Sequence, residues 1–426
     1  MHILVVNNIY PPIMAGGAEL IVAWLSEELV ARGHRVTVVS TCGPDMQPYP
    51  VMDRNGVTVI RFFPANVYWN FARQGQPRHR RALWHLRDAW NRDAGRKFRE
   101  ILNADPPDLV HTHLIDGLSA SIWRRARQSG VPVIHTAHDY HLLCPRAFLL
   151  TRDWQVCRQP SLGCQLYRAW HLRTAAYVDL FVSPSQFLLD RHHQAGLPAR
   201  RSAVVRNGIP LPPIATQMWR EEVGRERNGQ RPRFVLLTRL TVEKGIHVVL
   251  QAMALLPAAL DFELVIAGRG PLEADMQEAA AKDVRLRFIG YVTGQEKEAL
   301  LASSHYLLIP SLWYENAPVA VIEAAGYGLA VIGSRIGGLP ELIRNGRTGV
   351  LFEPGDAVGL ASAMRGLLTG EIRLPDLARD ASALAEAHTV ERMVDTYLEH
   401  YQDLLAERTG RPPQRSQHAV EVQHAA

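Results

Sequence analysis

No apolar run in this 426-residue chain approaches the ~20 residues that a membrane-spanning helix needs, which argues against a transmembrane anchor. The opening stretch MHILVVNNIYPP lacks the basic start and small-residue cleavage site of a secretory signal. A cytoplasmic, reducing setting is therefore expected. Cysteines are few: Cys42, Cys144, Cys157 and Cys164, with no short Cys-x2-Cys clip. That spacing is weak support for zinc, and whether Cys144, Cys157 and Cys164 hold a metal stays open. Charge of one sign is also lacking, since 47 basic residues against 42 acidic leave only +5. So small an excess gives no reason to expect nucleic acid as a partner. No complete Gly-x-Gly-x-x-Gly occurs with its downstream acid, which disfavours a dinucleotide-binding enzyme. Nor is there an Asp-x-Asp, the pair that commonly holds a metal on a diphosphate.

What remains is a core-rich composition, 47% hydrophobic and 21% charged, in a chain long enough for two domains. HILVVN at 2–7 is followed by a Pro/Gly loop, a helical pattern from about Ala18 to Arg32, Gly33 as a stop, and RVTVVST. That is the βαβ unit of a parallel sheet. Apolar runs recur in PDLVHTH, VPVIHTAH and LFVSPS. After the proline-rich NGIPLPPIATQ, which reads as a linker, the rhythm restarts in RFVLLTRL, FELVIAGRG, LRFIGYV, HYLLIPS and LAVIGS. Near-continuous apolar strands suit sheets covered on both faces. The expectation is α/β, with two doubly wound Rossmann-like domains facing across a cleft: 1–208 on the acceptor side and 209–388 on the donor side. A helix over 389–409 and a disordered tail over 410–426 complete the chain.

The densest chemistry lies in PSLWYENAPVAVIEAAGYG, where seven residues separate Glu315 from Glu323. Asn316 reads as a helix N-cap, Pro318 as a first-turn residue, and Glu323 as about two turns in. Amides at such a start favour a bound anion. Arg239 and Lys244 follow one strand end and suit a phosphate pair. GRGP, with Gly270, supplies a second tight turn. Gly16 and Gly17 let the backbone approach a ligand, and His138 follows an apolar strand. The segment 73–99 carries Arg73, Arg78, Arg80, Arg81, Arg87, Arg92, Arg96, Lys97 and Arg99 with Trp84, Trp90 and Phe98. It reads either as a contact for an anionic membrane or as a solvated face with its tryptophans in the core.

In their order along the chain, GGAE (16–19), HDYHLLCPR (138–146), NGI (207–209), TRLTVEKG (238–245), AGRGP (267–271), FIGYV (288–292), YENAPVAVIEA (314–324) and GGLPE (337–341) resemble those of a retaining glycosyltransferase of the GT-B fold, family GT4. The likeness spans about residues 1–405. It implies that Glu323 holds the donor ribose and that Glu315 lies close to the transferred sugar. Arg239 and Lys244 would neutralise the diphosphate. Asn316, Ala317, Pro318 and Val319 would meet sugar or phosphate, and Tyr291 and Val292 the base. Gly16, Gly17 and Gly270 would line the donor site, and His138 would meet an outer sugar hydroxyl. The helix near Val390–Glu407 would cross back to the N-terminal domain. The implied reaction transfers a sugar from a nucleoside-diphosphate-sugar, without metal or other cofactor, to a glycan or lipid-linked acceptor in cell-envelope or exopolysaccharide synthesis. The enzyme could sit peripherally on the inner face of the plasma membrane. A sugar-nucleotide epimerase or hydrolase, or a non-catalytic binding partner on the same frame, are the competing readings.

Overall fold

The computed structural model describes all residues except 15, 48, 74, 212–229, 375–376 and 410–426. Much of the expected linker and the whole of the expected disordered tail thus lie outside the described residues.

Two sheets organise the chain. The first joins β1 (His2–Val6), β2 (Arg35–Thr41), β3 (Met52–Arg54), β4 (Val57–Phe62), β5 (Leu109–Thr112), β6 (Val133–Thr136), β7 (Leu180–Ser183) and β8 (Ser202–Val204). Their order is β3-β4-β2-β1-β5-β6-β7-β8, parallel except where β3 turns back on β4. The second joins β9 (Arg233–Leu237), β10 (Glu263–Ala267), β11 (Leu286–Phe288), β12 (Tyr306–Ile309), β13 (Ala330–Ser334) and β14 (Gly349–Phe352). Its order is β11-β10-β9-β12-β13-β14, parallel throughout. Strands such as β1 and β13 are buried along their whole length because helices cover both faces. The architecture is the expected pair of Rossmann-like halves.

In each sheet the chain runs outward to one edge, then returns to the middle and builds the other. The reversal falls between β1 and β5 in the first sheet and between β9 and β12 in the second. Such switch points open a crevice beyond the strands' carboxyl ends, where ligands bind in folds of this type.

The first helix, Gly17–Ala31, starts one residue earlier than expected, and Gly33 with φ of 81° ends its turn. The last helix, Val390–Thr409, lies against the first. Tyr397, Tyr401 and Val394 share an apolar core with Leu25, Leu29 and Ile322. Two of its hydroxyls reach the first sheet: Tyr401 pairs with His111 Nδ1 at 2.7 Å and Tyr397 with Thr136 at 2.9 Å.

The 73–99 segment becomes two helices, Arg78–Ala89 and Arg92–Ala104. Trp84 and Phe98 are buried, and Trp90 packs edge-on against Trp170. Trp84 and Phe98 thus pack inward while Trp90 is half-buried, and Arg78, Arg80, Arg81, Arg87, Arg92, Arg96 and Arg99 are exposed. The large apolar residues that the first of these helices does expose are Leu83 and Leu86.

Candidate active site

The candidate donor-site motifs follow the carboxyl ends of strands, in the connection to the next element or at its start. Gly16 and Gly17 follow β1, His138 follows β6, Arg239 and Lys244 follow β9, Gly270 follows β10, Tyr291 and Val292 follow β11, and Glu315 follows β12. The loops of the two halves touch. The Asn316 side-chain amide donates to the carbonyl of His138, and the Asn207 amide donates to the carbonyl of Ala317 at 3.2 Å. Glu341 accepts from the amides of Gln186 and Phe187 at 2.9 and 2.7 Å, bringing a carboxylate from one half to a helix start in the other.

Glu315 is the centre of the arrangement. It is only 4% exposed, and Lys244 Nζ lies 2.6 Å from its Oε1. The Ser311 hydroxyl donates to the same oxygen at 2.6 Å. Burial alone would raise this carboxyl. The charge and hydrogen bond of Lys244, with Ser311 and Trp313, outweigh it and hold the group below its ordinary value. The Trp313 ring also lies under the ammonium, 4.9 Å from Nζ. Gly337 and Gly338 fix the loop from the far side. A Cβ on either would fall within about 2.2 Å of the backbone oxygens of Glu315 or Asn316. Both must be glycine for that approach.

Arg239 does not share the Lys244 pair. Its guanidinium is half exposed and only 3.8 Å from Glu243 at closest. Glu323 has its own partner, Lys297, whose Nζ is 2.6 Å from Oε1. Lys297 sits in the helix Gly294–Ala302, where nothing in the sequence marks it out. Ser311 and Trp313 also escape the sequence reading, although their places four and two residues before Glu315 are a usable signal.

Asn316 is not the helix cap. The helix runs Val319–Gly326 with Pro318 as its cap residue, in extended backbone at φ of −65° and ψ of 122°. Proline disfavours helical backbone in the residue before it, so the helix cannot begin at Ala317. Glu323 is therefore its fifth residue, little more than one turn in. Two expected backbone donors are already engaged. The Gly16 amide bonds the Glu19 carboxylate at 2.7 Å, and the Gly270 amide bonds Glu273 at 2.8 Å. Gly17 faces Val319, with just 3.3 Å for an added Cβ. Tyr291 is exposed and stacked under Arg269, while Val292 is buried.

On the opposite wall His138 Nε2 lies 2.9 Å from His113 Nδ1, so one of the two nitrogens carries the shared proton. Burial lowers His138 to about 4, leaving it neutral near pH 7. Two acids nearby are held up. Asp139 is raised to about 7 by burial and by repulsion from Asp116, and Asp116 to about 6 by burial.

The two halves thus bring a buried, ion-paired glutamate after the second switch-point strand and a neutral histidine after β6 onto loops that touch. The profile described as "Glycosyl transferases group 1" matches residues 231–370, and "Glycosyl transferase 4-like domain" matches 16–208. The chain belongs to the group 1 glycosyltransferases. This glycosyltransferase is 30% identical over 390 residues to glycogen synthase of Mycobacterium tuberculosis, covering 86% of each chain. Its fold matches sucrose-phosphate synthase from Thermosynechococcus elongatus with a TM-score of 0.74, at 20% identity, over 95% of this chain and 99% of that one. It also matches HepE of Anabaena in complex with UDP-glucose, with a TM-score of 0.66 at 17% identity over 96% and 99%. At such identities the two structures speak for the GT-B fold alone.

All four cysteines of this glycosyltransferase are free thiols. Among the described residues, no three His, Cys, Asp or Glu side chains gather as a metal site would require, and no helix is long and apolar enough to cross a membrane.

Proposed function

We propose that this glycosyltransferase takes a nucleoside-diphosphate-sugar as donor and transfers the sugar with retention at the anomeric carbon to a glycan or lipid-linked acceptor, in polysaccharide or cell-envelope synthesis. The observation that carries this reading is the buried Lys244–Glu315 pair at the second switch point, with the His138 loop one hydrogen bond away. The glycogen synthase relative supports polysaccharide as the product class, and the UDP-glucose bound to HepE supports a nucleotide sugar as donor.

In this reading the donor diphosphate lies over the turn Val242–Lys244 and the start of the helix Val319–Gly326. Negative charge grows on the leaving diphosphate. Cations fixed in advance stabilise it without reorganising at the moment of reaction. Lys244 is held by Glu315 and Trp313, so an arriving phosphate meets an ammonium already in place. Arg239, half exposed, swings in as a second cation. Among the described residues, the amides of Asn316 and Ala317 donate to no backbone acceptor, and in this reading they serve phosphate or sugar oxygens. Glu323 accepts from the ribose hydroxyls, oriented by Lys297. His138, being neutral, hydrogen-bonds a sugar hydroxyl without placing positive charge beside the cationic anomeric centre. The protein's own cations suffice for the diphosphate, and the absence of Asp-x-Asp agrees with a metal-independent enzyme.

Contact with an anionic bilayer through Arg78, Arg80 and Arg81, with Leu83 and Leu86 beside them, belongs to the same proposal. Charge reversal at the three arginines should abolish co-sedimentation with anionic liposomes, and unchanged sedimentation would remove this part. The main test is release of nucleoside diphosphate from a panel of nucleotide sugars, with and without glycan acceptors, in the presence of a chelator. Acceptor-dependent release with product of unchanged anomeric configuration supports the reading. Release that ignores acceptor would instead favour an epimerase or hydrolase, and binding without release a non-catalytic partner.

A further inference from the structure

Five arginines from two separate segments converge on one pocket in the N-terminal half. The pocket has a volume of about 500 Å3 and is lined by Arg73, Arg78, Arg81, His85, Arg146 and Arg152, with Ala82 and Pro145. No carboxylate lines it, and among the described residues none of the five arginines has a carboxylate oxygen within salt-bridge distance. Arg146 is preset by the protein. Its Nη1 donates to the carbonyls of Leu150 and Thr151 at 3.2 and 2.8 Å, and its guanidinium lies over the Trp154 ring. Burial first, and then the like charges of Arg81 and Arg146, lower Arg73, so the pocket's own charge works against it. The His85 Nδ1 is buried with no hydrogen-bond partner. A polyanion bound here would offset that repulsion and gain from all five guanidiniums.

The pocket adjoins the sugar-transfer cleft rather than the donor's cations. Pro145 and Arg146 continue the loop that carries His138. Tyr167 joins the two places, edge-on to His85 and donating from its hydroxyl to the His141 carbonyl at 3.0 Å. Arg73 feels the charge of Asp116, which follows β5 at the first switch point. Leu83 and Leu86 stand exposed on the helix that supplies Arg78 and Arg81.

We infer that this pocket binds a diphosphate ester on the acceptor, so that the acceptor sugar is presented to the cleft from a diphosphate-linked carrier. The inference rests on the glycosyl-transfer reading and names the acceptor class for it. Five guanidiniums suit a group with several negative charges, each phosphate taking bidentate hydrogen bonds, better than they suit a single carboxylate. A volume of this size admits a diphosphate with the first part of what it bears.

The test is calorimetric titration of inorganic pyrophosphate into the full chain, because pyrophosphate should occupy both this pocket and the donor site. The wild type should show two sites. Arg239→Ala/Lys244→Ala should keep the acceptor-side site alone, and Arg73→Ala/Arg81→Ala should keep the donor-side site alone, its lost site weakened by about 30-fold or more. The exposed pair Arg78→Ala/Arg152→Ala should weaken the same site with the fold intact. If both arginine variants titrate like the wild type, the inference is overturned. If Arg239→Ala/Lys244→Ala keeps both sites, the donor assignment fails and this one stands. A short-chain isoprenyl diphosphate should displace pyrophosphate from the arginine site. Displacement by phosphatidylglycerol vesicles but not by that diphosphate would overturn the acceptor assignment.

Discussion

Replacing Lys244 with methionine should damage stability and turnover together, and the geometry sets the scale. Lys244 Nζ is 2.6 Å from a Glu315 oxygen in a site where the glutamate is only 4% exposed. Removing one member of a buried pair leaves the other charge uncompensated, at a cost of about 3–5 kcal/mol. Ser311 still donates to the carboxylate, so the loss should fall near about 3 kcal/mol. Lys244→Met/Glu315→Gln removes both charges and should recover most of that loss, though not activity. Urea unfolding followed by tryptophan fluorescence is a suitable assay, since Trp313 lies directly beneath the ammonium. The pH dependence gives an independent check. In the wild type Glu315 is held below its ordinary value, so its contribution is present above that value and fades as pH falls through the lowered one. In Lys244→Met burial loses its main opponent, the lysine charge, and raises the carboxyl against the Ser311 hydrogen bond alone, so the penalty is largest near pH 7 and shrinks as acid protonates it. The gap between the two proteins should therefore narrow on acidification. A gap that stays constant with pH, or single-variant losses that simply add in the double variant, would refute the pairing argument.

Turnover by Lys244→Ala should fall by about 100-fold or more if its cation stabilises the leaving diphosphate, with equilibrium donor binding less affected. Glu323→Ala should weaken donor binding instead, read by thermal shift against a nucleotide-sugar panel, and wild-type affinity would contradict its place at the ribose. Acid should destabilise the N-terminal half. Burial lowers His85, His138, His141 and His192 to about 4 and His111 to about 3, so their folded values lie below the unfolded one. The stability they contribute is whole above the ordinary histidine value, about 6.5, and each loses about 1.4 kcal/mol for every pH step of one from there down to its folded value. Asp116 and Asp139 oppose this by relaxing as they protonate, but they are fewer. A melting temperature flat from pH 7 to 5 would contradict the account. Glu341→Ala strips the carboxylate from the amides of Gln186 and Phe187, at a cost of about 1–2 kcal/mol, and should expand the molecule in solution scattering.

The sheets are legible because their strands are short, almost wholly apolar runs with turn residues on either side. RVTVVST coincides with β2 from end to end. β14 escapes such a reading: four residues between a polar turn and Glu353 carry no periodicity that separates strand from loop. The helix start at 319 is misplaced from sequence because Asn316 has the chemistry of a cap, whereas Pro318 decides where helical backbone can begin. Glu315 and Glu323 are legible as chemistry, but their cations are not. Lys244 lies 71 positions from Glu315, and Lys297 lies 26 from Glu323. Only the packing of separate loops joins them. The aromatics of 73–99 leave two readings open for a different reason, since composition does not tell which face of a basic helix is turned inward.

The chain passes between its halves twice, and the two passages are fastened to each other. Ile209 donates to the His388 carbonyl at 2.9 Å, and Val390 returns a bond to Ile209 at 3.2 Å. Gly208 lies so close that an added Cβ would stand 2.2 Å from the Thr389 oxygen. Two independent tethers would permit sliding and shear. Two cross-linked ones behave as a single pivot, so the lobes can swing about this seam but cannot drift apart along it. Because Asn207, next to that seam, also holds the carbonyl of Ala317, each swing pulls directly on the segment between the glutamates and the incoming sugar.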